Sequence, residues 1–581
     1  VVVAVMLLVT SYALYNQWDA ERRKAQAERE KLALEESERR AEKERNQAMR
    51  RRYEARNVLK RADDLLRKSQ LAVEGAATPE EKRALLAPVM SLIGRAAATD
   101  PDYAEVYDMR ARVERLGFDW AGALRDYERA YQLDSSYLMA LYEAGMLLAD
   151  VFQQPDAARE KFRMMNAVSP NDEYAELGQA QVDIGEADRL LKLPPSSPKF
   201  AQRKELASDL YDQVLARLER IEKVNPALSD VWYLRGLAYQ KSPRRASPEK
   251  AREAYDRFLA ARRDSPSAFH NRGDARKDLG DVDGAIADYT AAIDVSPEFF
   301  WSLRNRGYLY YKVKNDVAAA LADINRAIAI APQVAWSYVD RAAVREGTGD
   351  YAAANQDYQQ ALALDPDNPR ILYRLAVLRF YQLEFADAEK YFTAAIAGDR
   401  DGTNSTALYR RGLARLAQDK HADAICDFEA AIAIRRERQP DGVIYPALMR
   451  YLAFLFQGQR LGADDFGRQL EAPADRPWLT AVGSFYMGEA TESDVLRLAG
   501  DPFGGDEVAT YRGTPEDKEK LARAPDLKAI CEARFYLGAH CLAIGRPEEA
   551  KAHLRVAIDT GVNLYMEHTL SLHYLKRLEK P

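Results

Sequence analysis

The 581-residue sequence predicts an all-α fold, a solenoid of stacked antiparallel helix hairpins. A motif about 34 residues long recurs from near residue 79 to near residue 440, the mark of hairpins that cannot bury their apolar faces alone. Charged residues make up 30% of the chain, and strand signals are scarce. The chain is also too long for one compact core, which a stack avoids because each repeat packs only on its neighbours. The clearest copy runs Phe269, Gly273, Ala285, Tyr289, Ala292, Pro297. The next are Leu303, Gly307, Ala320, Ile324, Ala327, Pro332 and Tyr338, Ala342, Ala354, Tyr358, Ala361, Pro366.

Taken in order, residues 1–18 carry no charge, and Val1 to Leu14 is apolar apart from Thr10, Ser11 and Tyr12. This run is slightly short of the ~20 residues that span a bilayer. It begins with Val, so it reads as the C-terminal part of a transmembrane helix, with a single-pass membrane protein expected. Residues 19–75 form a charged juxtamembrane helix in which Glu21/Lys24 and Glu35/Arg39 stand one turn apart, and Arg50-Arg51-Arg52 suits lipid headgroups. Its apolar residues are too few for a heptad seam.

Thr78-Pro79-Glu80-Glu81 supplies an N-cap, a proline at the first helical position and acids in the first turn. It opens a first repeat block, 76–185, with copies anchored on Val89, Ala111 and Gly145. Residues 186–225 read as an irregular helical linker containing Leu193-Pro194-Pro195-Ser196-Ser197-Pro198. A second block, 226–440, carries copies anchored on Gly236, Gly273, Gly307, Ala342, Ala376 and Gly412. Residues 441–530 form an irregular helical segment with Pro473, Pro477 and Asp501-Pro502-Phe503-Gly504-Gly505. Residues 531–581 hold a terminal copy (Gly538, Ala550, Leu554, Ala557) and a cap. Within each copy, Gly or Ala on the first helix and Ala on the second let two helices approach closely, and the proline stops the second helix.

Net charge is −6. Residues 1–61 hold 15 Lys/Arg against 10 Asp/Glu, leaving 69 against 80 for the remainder. That acidic body has no basic stripe, so nucleic-acid binding is disfavoured. Three cysteines cannot make a disulfide framework, and Cys426, Cys531 and Cys541 read as buried structural residues. The six histidines show no metal spacing, with His540, Cys541 and His553 the only cluster to weigh; no metal or cofactor is expected. Asp464, Asp465 and Asp475 are explained by a solvated loop, and no nucleophile–base pair appears, so no catalysis is expected in this chain.

The order aromatic, Gly, Ala, aromatic, Ala, Pro resembles the tetratricopeptide repeat (TPR) family over most of residues 79–440 and again at 531–562. The resemblance implies a right-handed superhelix with first helices lining a concave groove. Residues 531–578, with Tyr536-Leu537-Gly538, Ala550-Lys551-Ala552 and Asp559-Thr560-Gly561-Val562, are similar to the terminal repeat of new-lipoprotein-I-type lipoproteins. The N-terminus resembles the membrane exit of bacterial transmembrane serine/threonine kinases with TPR regions. Both likenesses place the repeats on the extracytoplasmic side.

Within the repeats, Arg precedes the first-helix small residue and Asp precedes the second-helix aromatic or aliphatic residue. The pairs are Arg110/Asp126, Arg272/Asp288, Arg306/Asp323, Arg341/Asp357 and Arg411/Asp427, expected as ion pairs joining the two helices of a hairpin. The family resemblance makes Tyr233, His270, Trp301, Arg304, Tyr308, Trp336, Tyr373 and Tyr409 groove residues, the aromatic and Arg types that dominate interfaces; packing between repeats is the plainer role for any one of them. The Lys/Asn carboxylate clamp is not matched, since Tyr308 and Asp340 stand where Asn would be. The expected function is a membrane-anchored scaffold for protein or peptide ligands. The alternative is a sensory or substrate-recruiting region of a transmembrane kinase whose catalytic domain lies upstream.

Overall fold

The computed structural model describes the chain except residues 1, 76–77, 193–198, 400–403, 439–441, 462–475, 504–510, 512, 564 and 581. The run 193–198, Pro473, Gly504-Gly505 and Asp464, Asp465 and Asp475 thus lie outside the described residues. Among those described, the regular elements are helices, and no strand occurs. The chain forms two compact units, residues 1–188 with 209–238 and residues 189–208 with 239–581.

The first unit begins with α1 (Val2–Gly75), a single helix of 74 residues. Most of its length is exposed. From residue 55 it acquires a buried stripe, Ala55, Leu59 and Ala62, at the four-and-three spacing of one helix face. The stripe packs on Leu86, Val89, Ile93 and Ala96 of α2 (Pro79–Thr99), so the end of the charged rod is the first helix of the first hairpin. Thr78 starts α2 with a capping box: its hydroxyl accepts the Glu81 N–H at 3.1 Å, and the Glu81 carboxylate accepts the Thr78 N–H at 3.2 Å. Two hairpins follow, α3 (Ala104–Leu116) with α4 (Trp120–Leu133) and α5 (Leu138–Asp150) with α6 (Pro155–Val168). Next come α7 (Glu173–Leu191), α8 (Phe200–Val224) and α9 (Asp230–Lys241). The interval 186–225 therefore contains most of a 25-residue helix, α8.

The N-terminal helix corrects the membrane expectation. Among the described residues, no helix is long and apolar enough to cross a membrane. The apolar start of α1 ends near Leu14, and Asn16, Gln17 and Asp19 follow. The single-pass assignment, and with it a side of the membrane, is withdrawn.

The second unit contains α10 (Pro248–Ala261) and five complete hairpins: α11 (Pro266–Asp278) with α12 (Val282–Val295), α13 (Phe300–Lys312) with α14 (Val317–Ile330), α15 (Ala335–Gly347) with α16 (Tyr351–Leu364), α17 (Pro369–Tyr381) with α18 (Phe385–Gly398), and α19 (Ser405–Leu416) with α20 (His421–Arg438). Asp281, Asp316 and Asp350 cap three of the second helices, each side chain accepting a backbone N–H three residues on. The turn inside each hairpin needs one residue at positive φ. Gly280 and Gly349 adopt it (79° and 82°) without a Cβ clash, whereas Leu383 (64°) carries the ~1–2 kcal/mol cost of that conformation while its side chain packs on the core.

Cys426 corrects a second expectation: it is exposed. It follows the buried Ala424 by two residues on α20, about 200° around the helix, and so faces outward.

Beyond α20 lie α21 (Ile444–Phe456), α22 (Pro477–Met487), α23 (Glu492–Leu498), α24 (Pro515–Ala522), α25 (Leu527–Ala543), α26 (Pro547–Asp559) and α27 (Met566–Leu578). Except for α24, whose Leu521 packs with Phe503, Ile530 and Val556, their apolar side chains join those of α17–α20 in one core that includes Phe380, Tyr409, Leu413, Leu452, Tyr536 and Leu570. The last helix folds back against α17, with His573 edge-on to Phe385 at 4.8 Å and Arg577 bonded to Asp419 at 3.0 Å.

Candidate functional site

The approach of the two helices in a hairpin is set by its smallest residue. Gly273 is buried, and a Cβ placed there would lie 2.7 Å from the Tyr289 ring on the facing helix. At Gly145 a Cβ would come within 2.7 Å of Phe162, at Gly412 within 2.5 Å of Phe428, and at Gly307 within 3.0 Å of Ile324. Real Cβ atoms need more room, so only Gly, or Ala on a slightly wider hairpin, permits this packing. The small residues of the second helices, Ala285, Ala320, Ala354 and Ala424, are completely buried.

In five hairpins an arginine stands beside the small residue and grips the facing aspartate through Nε and Nη2. Arg272 donates to Asp288 at 2.9 and 2.6 Å, Arg306 to Asp323 at 2.7 and 2.8 Å, Arg341 to Asp357 at 3.0 and 2.7 Å, and Arg411 to Asp427 at 3.0 and 2.6 Å. Arg110 holds Asp126 in the same fork. The five aspartates are buried, and the paired guanidinium groups are largely so.

Two features of this ladder escaped the sequence reading. Nη1 of each arginine in the second unit reaches back to the preceding hairpin: Arg272 to Asp256 at 2.8 Å, Arg306 to Thr290 at 2.9 Å, Arg341 to Asn325 at 2.7 Å and Arg411 to Thr393 at 3.3 Å. The signal was present, because those four polar residues each directly follow a core residue of the second helix (Tyr255, Tyr289, Ile324, Phe392). In three hairpins a second arginine, one turn on, shares the aspartate: Arg276 with Asp288 at 3.0 Å, Arg345 with Asp357 at 2.8 Å and Arg415 with Asp427 at 2.9 Å. Where the pattern breaks in the first unit, Arg235 pairs with Glu222 at 2.8 Å and Lys161 with Glu128 at 2.6 Å.

The groove residues named from the sequence occupy different settings. Tyr233 is half-buried in the first unit; the others belong to the second. His270 is packed between the rings of Tyr289 and Phe299, each 5.5 Å away, with Nδ1 3.0 Å from Ser302 Oγ. Burial pushes its pKa down despite Asp274, so the ring is neutral at pH 7. Arg304 is bonded to Asp340 of the next repeat, and burial still holds that carboxyl above its ordinary range. Both residues frame the face rather than offer free polar groups.

Trp301 and Tyr308 are open, with 45% and 46% of their surface exposed. One repeat on, Trp336 and Tyr373 come together in a cleft of about 690 Å³, with Pro369, Arg370, Arg374, Asp399, Asn404 and Thr406 completing its walls. Tyr409, by contrast, is buried: the Arg435 guanidinium lies 5.2 Å from its ring centre, and Glu567 of α27 stands near its hydroxyl. The chain's own C-terminal helices therefore cover that end of the first-helix face.

That closed end holds charged groups that no repeat pattern signals. Glu532 and Glu567 are both buried, and burial pushes each carboxyl up, Glu532 well above its ordinary value with the charge of Glu567 adding to the effect. Nearby, Arg534 is completely buried and bonded to Asp501 at 2.6 Å, to the Phe503 carbonyl at 3.1 Å and to His553 Nδ1 at 3.2 Å, while His553 Nε2 lies 3.2 Å from Glu492. The only warning in the sequence is the pair Glu532 and Arg534 inside an otherwise apolar stretch of α25. Burial pushes the Cys531 and Cys541 thiols up, the latter to about 12, which suppresses the nucleophilic thiolate. His540 stacks on Tyr486 at 5.1 Å. Among the described residues, no group of three or more His, Cys, Asp or Glu is placed to hold a metal.

This geometry defines a helical-hairpin repeat protein with exposed aromatics on a first-helix face. Part of the array, residues 273–416, matches the tetratricopeptide repeat: two models described as tetratricopeptide repeat match residues 307–379 and 347–416, and one described as TPR repeat matches 273–314. No enzymatic family is indicated. Human tetratricopeptide repeat protein 13 is 24% identical over 193 residues, 33% of this chain, and the match spans only 18% of that relative. Among solved structures, yeast Tom70 is similar at 15% identity over 82% of this chain and 96% of that one, with a TM-score of 0.31. A tetratricopeptide repeat protein of Parabacteroides merdae is similar at 16% identity over 46% and 99% (TM-score 0.35). YrrB, a TPR protein with an unusual peptide-binding site, is similar at 16% over 33% and 96% (TM-score 0.27). The likenesses of the N-terminus to kinase membrane exits and of the C-terminus to lipoproteins are not shown by these matches.

Proposed function

We propose that the chain is a TPR scaffold that docks a protein or peptide partner on the first-helix face of its second unit. The contact residues are Trp301, Tyr308, Trp336 and Tyr373, with His270 and Arg304 holding the face in shape. Tyr409 supports the covered end. The observation that carries the reading is the run of open aromatics Trp301 and Tyr308 leading to the cleft of Trp336 and Tyr373. Large rigid rings contribute most to interfaces when a partner desolvates them. The ladder arginines are satisfied internally, so they serve the fold and leave recognition to these rings.

Affinity capture with the full chain tests this against a Trp301→Ala/Trp336→Ala variant of unchanged melting temperature. The variant is expected to lose the specifically retained proteins. An identical retained set refutes the assignment of the face.

A further inference from the structure

The cleft departs from the rest of the repeat array in its charges. Along the ladder every arginine has an aspartate, and most have a second mate in the neighbouring hairpin. Arg370 and Arg374 line the cleft one turn apart on α17, both exposed. Among the described residues neither guanidinium has a hydrogen bond or ion pair. Like charges at this spacing disfavour a helix. Arg410, on the next first helix, has its guanidinium 5.3 Å from the Tyr373 ring centre, and its charge also acts on Glu346 and Glu567.

The neighbouring carboxylates have other hydrogen-bond partners, although the Arg374 charge also acts on Asp340 and Glu346. Asp340 is held by Arg304, Glu346 accepts the Tyr358 hydroxyl at 2.9 Å, and Asp399 accepts the Asn404 backbone N–H at 2.8 Å. The cleft therefore presents two cations, Arg370 and Arg374, and one carboxylate, Asp399, beside two aromatic platforms, Trp336 and Tyr373.

We infer that this cleft takes an acidic peptide segment, its Asp or Glu side chains on Arg370 and Arg374 and an adjacent apolar or aromatic side chain against Trp336 and Tyr373. The inference rests on the docking face proposed above and names the class of its partner. Arg suits this task because its planar fork meets a carboxylate with two parallel bonds. A peptide is favoured over a nucleic acid by the surrounding charge. The chain beyond residue 61 has 69 Lys/Arg against 80 Asp/Glu, so a long phosphate backbone meets net repulsion away from the cleft, whereas a short acidic segment touches only the cationic patch.

The test is selection of random dodecapeptides on the immobilised full chain, on Arg370→Gln/Arg374→Gln and on Trp301→Ala/Trp336→Ala, each checked for an unchanged melting temperature. The full chain is expected to enrich peptides carrying two or more acids beside an apolar residue. Synthetic copies should bind the arginine variant at least about tenfold more weakly, the loss expected when charge-assisted bonds are removed. Replacing their acids by amides should produce the same loss. Equal binding of those copies to the arginine variant overturns the inference. So does enrichment of neutral peptides whose binding is lost in the tryptophan variant, an outcome that leaves the docking face standing. Binding of an oligouridylate through the same arginines, with no peptide enriched, overturns both.

Discussion

Arg306 on α13 grips Asp323 on α14 with two parallel hydrogen bonds of 2.7 and 2.8 Å and reaches back with its third nitrogen to Thr290 on α12 at 2.9 Å. One side chain thus joins the two helices of its own hairpin and ties that hairpin to the one before. Removing Asp323 alone strands a guanidinium that is 15% exposed, so Asp323→Ala is expected to destabilise by ~3–5 kcal/mol. The double change Arg306→Met/Asp323→Leu, which removes both charges and keeps the volume, should cost clearly less. Thr290→Val should cost about 1 kcal/mol. Urea melts of the three variants check this, and equal losses for the single and double changes count against the pair as a structural unit. Asp288 is a harsher site, because Arg272 and Arg276 both depend on it.

Gly273 and Gly94 separate packing from helix propensity. Alanine at Gly273 meets Tyr289 at 2.7 Å, whereas alanine at Gly94 on α2 meets nothing within 4 Å. Gly273→Ala should lower stability by ~1–3 kcal/mol despite its better propensity. Gly94→Ala should raise it by ~0.5–1 kcal/mol. Thermal melts read both, and a stabilised Gly273→Ala would mean that the hairpin can widen freely.

The buried carboxyls Glu532 and Glu567 give the closed end a pH dependence. Burial raises both, and Arg476 and Lys528 around Glu532, and Arg410 facing Glu567, only partly oppose it, with Asp526 adding to the rise at Glu532. A carboxyl raised in the fold holds its proton more tightly there than in the unfolded chain. Its contribution is therefore complete below the unfolded value of about 4.3 and is lost as pH rises through the folded one. Glu532→Gln, which copies the protonated form, should gain stability over the parent at pH 7.5, and the gain should shrink toward pH 4.5. Melting curves across that range check the sign; a gain that grows on acidification refutes it.

Asp501 and Arg534 form a completely buried pair at the base of α25. Asp501→Ala leaves that arginine with the Phe503 carbonyl and His553 alone, and should cost ~3–5 kcal/mol. Asp501→Asn, which keeps an acceptor, should cost less. Hydrogen exchange of α25 amides localises the loss, and unchanged protection in Asp501→Ala would show that the pair is dispensable.

Legibility followed distance along the chain. Gly273, Ala285 and Tyr289 lie within one hairpin, and their spacing is imposed by a packing rule that every copy repeats, so the helices and their facing residues could be read in order. The Arg306–Thr290 tie was readable on the same grounds, since polar residues recur directly after the second-helix core residue, but only Asp was sought. The apolar start of α1 misled because an apolar run by itself resembles a membrane span, whereas among the described residues no helix is long and apolar enough to be one.

Taken alone, the sequence determined the hairpins, their small-residue contacts and the residue types of the first-helix face, because each depends on neighbours less than about one repeat away. Tertiary structure alone decided that α27 covers Tyr409, that Trp336 and Tyr373 share a cleft with Arg370 and Arg374, and that Arg534 meets Asp501. Those contacts join segments with no common period, and their energy comes from excluding water at surfaces that exist only once the chain has folded back on itself.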